Sequence, residues 1–170
     1  QIMNLVKYAV VTGASPSSIG FLAAQKLARA PHNFKVILAC RNPDKGRAAQ
    51  ETIQKEQPVS QAVFLPLDLA SRQSIAEFVE KLHALDDGAI AKQGLSLLVN
   101  NAGIGWGAQT PFIQTTDGLE EIVGVNHFGT FYLTQLLLED LKRATGESRI
   151  VMVASSLHDP NVRSKSDETK

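Results

Sequence analysis

Four short stretches carry residue types that could do chemistry. In Val10-Val11-Thr12-Gly13-Ala14-Ser15-Pro16-Ser17-Ser18-Ile19-Gly20, glycines punctuate the step from an apolar run into a helical pattern. Glycine accepts positive φ and lets a backbone approach a pyrophosphate, whose charge is favoured by free amides at a helix N-terminus. Gly13, Ser15, Ser18, Ile19 and Gly20 are therefore candidate cofactor-binding positions, although packing alone also calls for such turns. The second stretch, Ala39-Cys40-Arg41-Asn42, ends another apolar run. A carboxylate there would bond the adenosine ribose of NAD, whereas the planar fork of an arginine pairs with a 2′-phosphate. Arg41 thus points to NADP(H), with a solvated surface arginine as the alternative. Cys40 is a small packing residue rather than a nucleophile. Leu67-Asp68-Leu69 and Asn100-Asn101-Ala102-Gly103 follow the third and fourth apolar runs and make the combination specific.

The elements that must position these residues follow from periodicity. Tyr8 to Val11, Phe34 to Ala39, Ala62 to Leu65, Leu95 to Val99 and Arg149 to Ala154 are short, β-rich apolar runs, expected as strands buried on both faces. Between them lie segments with helical spacing. Asn42-Pro43-Asp44 supplies an N-cap followed by proline at the first helical position, and Asp117-Gly118-Leu119-Glu120 has capping-box spacing. Leu119, Ile122, Val123, Leu133, Leu136 and Leu137 form an apolar face expected in the core. Strands alternating with helices give an α/β fold with a doubly wound parallel sheet. The stretch from Asp86 to Gly94 is expected as a loop, and residues 158–170 as a polar loop or disordered tail behind a cofactor-binding core over 1–157.

Composition excludes several other functions. The 170 residues carry 17 Lys plus Arg against 17 Asp plus Glu, without a basic cluster of the kind that nucleic acid or an anionic membrane requires. The longest apolar runs fall far short of the ~20 residues of a membrane-spanning helix, so no transmembrane segment is expected. The lone cysteine cannot form an internal disulfide, and no signal-type leader is visible, so a reducing compartment, cytoplasmic or organellar, is expected. Four histidines without ligand spacing and one cysteine give no metal site.

Taken together the motifs resemble the short-chain dehydrogenase/reductase family over nearly the whole chain and in the family's order. Leu67-Asp68-Leu69-Ala70-Ser71, Thr116-Asp117-Gly118-Leu119 and Val125-Asn126-His127-Phe128-Gly129-Thr130-Phe131 are especially similar to the branch of retinol dehydrogenases and light-dependent protochlorophyllide reductases. The resemblance implies a Rossmann-type sheet with five of an expected seven strands present. It also implies hydride transfer between NADP(H) and a small-molecule carbonyl or alcohol substrate, or a conjugated double bond. Residue by residue it implies Asp68, with Leu69, at the adenine, and Asn100, Ala102 and Gly103 along the ribose and the cofactor channel. Asn126 matches a catalytic asparagine that organises a water in the proton relay, and Ser156 matches the serine that bonds the substrate carbonyl. A homodimer or larger assembly through the fourth and fifth helices is compatible with it.

Two features depart from the family pattern. Pro16 reads as an inserted residue in the glycine loop, and Ser18 stands where a middle glycine is usual, its hydroxyl a candidate phosphate donor. The second departure concerns the proton donor, which in the family is a tyrosine with a lysine four residues on. Tyr8 and Tyr132 are followed at that spacing by Thr12 and Leu136. The chain is accordingly expected to be the N-terminal part of a longer reductase. The competing expectation is a catalytically inactive nucleotide-binding or assembly subunit; an extended-type sugar-nucleotide epimerase fits the glycine spacing less well.

Overall fold

The computed structural model describes residues 6–29, 31–32, 34–57, 60–105 and 112–155. Five parallel strands form one sheet in the order β3-β2-β1-β4-β5: β1 (Tyr8–Thr12), β2 (Lys35–Cys40), β3 (Gln61–Pro66), β4 (Leu97–Asn100) and β5 (Arg149–Met152). The connecting helices are α1 (Ile19–Leu27), α2 (Pro43–Glu56), α3 (Arg72–Ala84), α4 (Ala89–Gln93), the single turn α5 (Glu121–Val123) and α6 (Thr130–Arg143). A π-helical turn, Gly124–Gly129, joins α5 to α6.

Side-chain alternation along the central strands builds two cores. Tyr8, Val10, Ile37, Ala39 and Leu98 point to the face covered by α3, α4 and α6, where they meet Phe78, Leu82, Leu133 and Leu137. Ala9, Val11, Val36 and Leu38 point to the opposite face, against Phe21, Ala24, Ala49 and Ile53 of α1 and α2. Because the period of a strand is two, consecutive residues serve different faces, and a strand covered on both reads as an unbroken apolar run. The chain winds from β1 outward through β2 to β3, then returns past β1 to β4 and β5. The reversal falls between β1 and β4, where a doubly wound sheet leaves a crevice at the carboxyl ends of its strands.

Four local expectations need correction. The outer strand β5 is not buried: Ile150, Val151 and Met152 are exposed at 42%, 42% and 60%. Residues Asp86 to Gly94 are not simply a loop. A 3-10 turn at Leu85–Asp87 leads into α4, with Gly88 and Gly94 supplying positive φ on either side. The left-handed residues Asp86 and Asp87 break the helical path between α3 and α4; Tyr8 Oη and Lys35 Nζ hold the Asp86 carboxylate at 2.7 and 2.6 Å. Lys35 and Tyr8 together hold that carboxyl below the usual range. Asp117 does not start a helix, because its carboxylate accepts from the Arg72 amide at 2.7 Å and pairs with the Arg72 guanidinium, tying this loop to the start of α3. Glu120 caps instead, accepting from Ile122 and Val123 amides at 3.0 and 2.8 Å, and Val123 then faces solvent rather than the core.

Candidate cofactor site

The carboxyl ends of β1, β2, β3 and β4 open into one cleft of about 440 Å³. Of the positions singled out in the sequence, Gly13, Ser15, Ser18, Ile19, Arg41, Asp68, Leu69, Ala102 and Gly103 line it. Gly20 and Asn100 do not. Gly20 lies beneath the loop, where a Cβ would press on the Gly13 carbonyl and the Asn101 amide. Asn100 is buried in the sheet, donating through Nδ2 to Thr134 Oγ1 at 3.0 Å and to Met152 Sδ at 3.1 Å, which ties β4 to α6 and β5. Ser156 and the tail 158–170 lie outside the described residues.

The floor of the cleft is a polar lock between two loops far apart in sequence. Thr12 Oγ1 accepts from the Asn101 and Ala102 amides, each at 2.9 Å, and donates to the Val99 carbonyl at 3.3 Å. Asn101 Nδ2 returns a bond to the Thr12 carbonyl at 2.8 Å. Asn101 also lines the cleft, and nothing local in the sequence marks it as the residue that joins the two loops. Replacing Thr12 by valine keeps the shape but strands two amides, so a loss of about 2–3 kcal/mol is expected. Denaturant unfolding with an unchanged m-value checks it.

Ser18 departs from the sequence expectation in an informative way. Its hydroxyl donates to the Gly13 carbonyl at 2.9 Å and accepts from the Phe21 amide at 3.0 Å, so it closes the loop and caps α1 instead of offering a proton to a phosphate. The inserted Pro16 is accommodated by a tight turn in which the Ser18 amide bonds the Ser15 carbonyl at 3.1 Å. Proline suits the second position of such a turn, and Ser17 takes the third with a positive φ of 64°. The amides of Ile19 and Gly20, the first two of α1, have no acceptor within the helix and remain available for an anion. Ser18→Ala is expected to destabilise the protein by about 1 kcal/mol through loss of the cap, read as a lower melting temperature.

At the β2 end, Arg41 is joined in the cleft lining by Lys45, which the sequence did not mark. Asn42 Oδ1 accepts from the Lys45 amide at 2.9 Å and, with Pro43, starts α2 so that this lysine falls in its first turn. Among the described residues Lys45 makes no ion pair, and a cation at a helix start opposes the helix dipole, an arrangement that suits a place for added negative charge. Burial pushes the Cys40 thiol up, with a bond from Ser15 opposing that shift, so it stays a neutral packing group. At β3, Asp68 Oδ1 accepts from the Ala70 amide at 3.0 Å, and Ser74 Oγ accepts from the Asp68 amide at 3.0 Å, fixing the carboxylate at the cleft wall.

Asn126 sits in the π-helical turn, and both ends of its side-chain amide are engaged. Oδ1 accepts from the Ile104 amide and Nδ2 donates to the Ile104 carbonyl, each at 2.8 Å. The pair pins Ile104 at the cleft rim. Neither tyrosine lines the cleft. Tyr8 is buried at the other end of the sheet, where burial and Asp86 hold its phenol above the usual range, and Tyr132 packs against the core of α6.

Comparison with known proteins follows the same pattern. The short chain dehydrogenase family pattern matches residues 7–164. The chain belongs to this family. Retinol dehydrogenase 11 of Mus musculus is 42% identical over 152 residues, covering 89% of this chain and 44% of that protein. The chain thus spans less than half the length of this relative. Among solved structures, an NADPH-bound carbonyl reductase from chicken fatty liver aligns with a TM-score of 0.69 at 26% identity, over 92% of this chain and 64% of that one. A metagenomic short-chain oxidoreductase in complex with NADP gives 0.68 at 27% identity, over 88% and 62%. Among the described residues of this family member no helix is long and apolar enough to cross a membrane.

Proposed function

We propose that the chain is the cofactor-binding part of an NADP(H)-dependent oxidoreductase that moves a hydride between the cofactor and a small carbonyl or alcohol, or a conjugated double bond. The observation that carries this is the pair of cations, Arg41 and Lys45, in the cleft wall at the end of β2, where an acidic residue would serve NAD. The NADP-bound and NADPH-bound relatives support it.

The residues of the cleft fit such a ligand. The glycine loop brings its backbone close, with Gly13 at φ 69° and no room for a Cβ against Ala102. The free amides of Ile19 and Gly20 suit a pyrophosphate, Asp68 stands at the adenine end with Leu69 as an apolar face, and Arg41 and Lys45 suit a 2′-phosphate. Ala102 and Gly103, held by Thr12, Asn101 and Asn126, keep the rim where a ribose would lie. When bound, the nicotinamide supplies or accepts the hydride. Ser156 is assigned to hold the substrate oxygen by a hydrogen bond. On this reading the proton donor belongs to the part of the relatives' length that this chain does not span.

The test is oxidation of NADPH by the full-length protein against a panel of aldehydes and ketones. Turnover that falls by orders of magnitude in Ser156→Ala is the expected result. A full-length protein that binds NADPH yet turns over no carbonyl, alcohol or enone would overturn the catalytic assignment and favour a binding subunit.

A further inference from the structure

Arg41 is not idle in the described structure. Its guanidinium lies 3.7 Å from the carboxylate of Glu121, the first residue of α5. An acidic residue in a first turn has an ordinary explanation, because it complements the helix dipole and caps free amides. Here that work is already done by the neighbouring residue, since Glu120 accepts from the Ile122 and Val123 amides through its two carboxylate oxygens. The Glu121 carboxylate is thus spare for the cap, and the one ion pair it makes among the described residues is with Arg41. Its side chain is 25% exposed while that of Arg41 is 64% exposed, so the guanidinium is the more accessible partner.

The pair is long and partly solvated, which makes it weak. A phosphate monoester carries more charge and three acceptor oxygens, and takes arginine in a bidentate grip. Resting on the proposed NADP(H) reading, we propose that Glu121 is a cofactor-selectivity residue: it pairs with Arg41, competes with a 2′-phosphate for that guanidinium, and so moderates the preference for NADP(H) over NAD(H). Glu121 acts through Arg41 and is a positioning residue for it. A nucleotide without the 2′-phosphate leaves the pair in place and pays no such penalty.

Adenosine 2′,5′-bisphosphate and 5′-AMP probe this half of the cleft without a nicotinamide and without turnover. Calorimetric titration of the wild-type protein, Glu121→Gln and Glu121→Lys with both nucleotides gives the test. Glu121→Gln is expected to tighten the bisphosphate roughly two- to fivefold, the scale of a partly exposed ion pair, while leaving 5′-AMP unchanged. Glu121→Lys should tighten it further, and both gains should shrink at high salt. An unchanged ratio of the two affinities in both variants, or an equal change for both nucleotides, overturns the role of Glu121 while leaving the cofactor reading intact. A wild-type protein that binds the bisphosphate no better than 5′-AMP overturns the reading itself and this inference with it.

Discussion

Replacing Gly129 by alanine is expected to destabilise the protein by about 3 kcal/mol, lowering its melting temperature by roughly 10 °C, and to weaken nucleotide binding as well. Gly129 ends the π-helical turn and starts α6, and a Cβ there would collide with the carbonyl oxygen and carbon of Leu69. Both sides of that contact are backbone, so no rotamer change relieves it. The helix or the β3–α3 loop has to move. That loop carries Asp68 and Leu69 into the cleft wall, which is why the stability and binding losses should appear together. Gly46→Ala is the informative contrast. Its Cβ would meet the ring of Phe64, a side chain at the edge strand β3, which can shift. A smaller loss of stability with unchanged nucleotide affinity is expected there, and thermal unfolding paired with a nucleotide titration measures both.

Arg41→Asp is expected to reverse cofactor preference. Removing the guanidinium deprives a 2′-phosphate of a charge-assisted pair worth about 1.5–3 kcal/mol, and the new carboxylate adds repulsion, so NADPH affinity should fall about 100-fold or more. NADH lacks the phosphate, and an aspartate at the end of β2 can accept from its ribose hydroxyl. Its affinity should hold or improve. Lys45→Ala should weaken NADPH in the same direction by a smaller factor, because an ammonium offers a point charge without the planar fork. The stability of both variants should change little, since Arg41 and Lys45 lie exposed at the cleft rim.

Much of the fold could be read from residue types because the central strands are covered on both faces. Tyr8–Thr12 and Lys35–Cys40 are almost wholly buried, and an apolar run flanked by turn residues has few other interpretations. The same rule failed at Arg149–Met152, whose composition matches a buried strand while its surface is open; composition reports what a strand can bury, not what lies beside it. The helix α4 follows left-handed residues at Asp86 and Asp87, and the Asp86 carboxylate is held by Tyr8 and Lys35, residues with no sequence proximity to it. In the site, residues that face the cleft through their own type and place in a motif were visible: Gly13, Arg41 and Asp68 all line it. Residues that act by joining distant segments were not. The Thr12–Asn101 lock and the pairing of Glu121 with Arg41 are set by the winding of the sheet, which brings β1, β2, β4 and α5 to one edge. Gly129 carried one signal that could have been used: a glycine inside a helical pattern is disfavoured and calls for a packing reason.

The central claim is that this cleft is built for a dinucleotide bearing a 2′-phosphate. Titrating the protein with NADPH and with NADH at one salt concentration, followed by calorimetry, tests it most directly. NADPH is predicted to bind at least tenfold more tightly than NADH, with the order reversed in Arg41→Asp. Equal affinities, tighter binding of NADH by the wild-type protein, or no binding of either would contradict it.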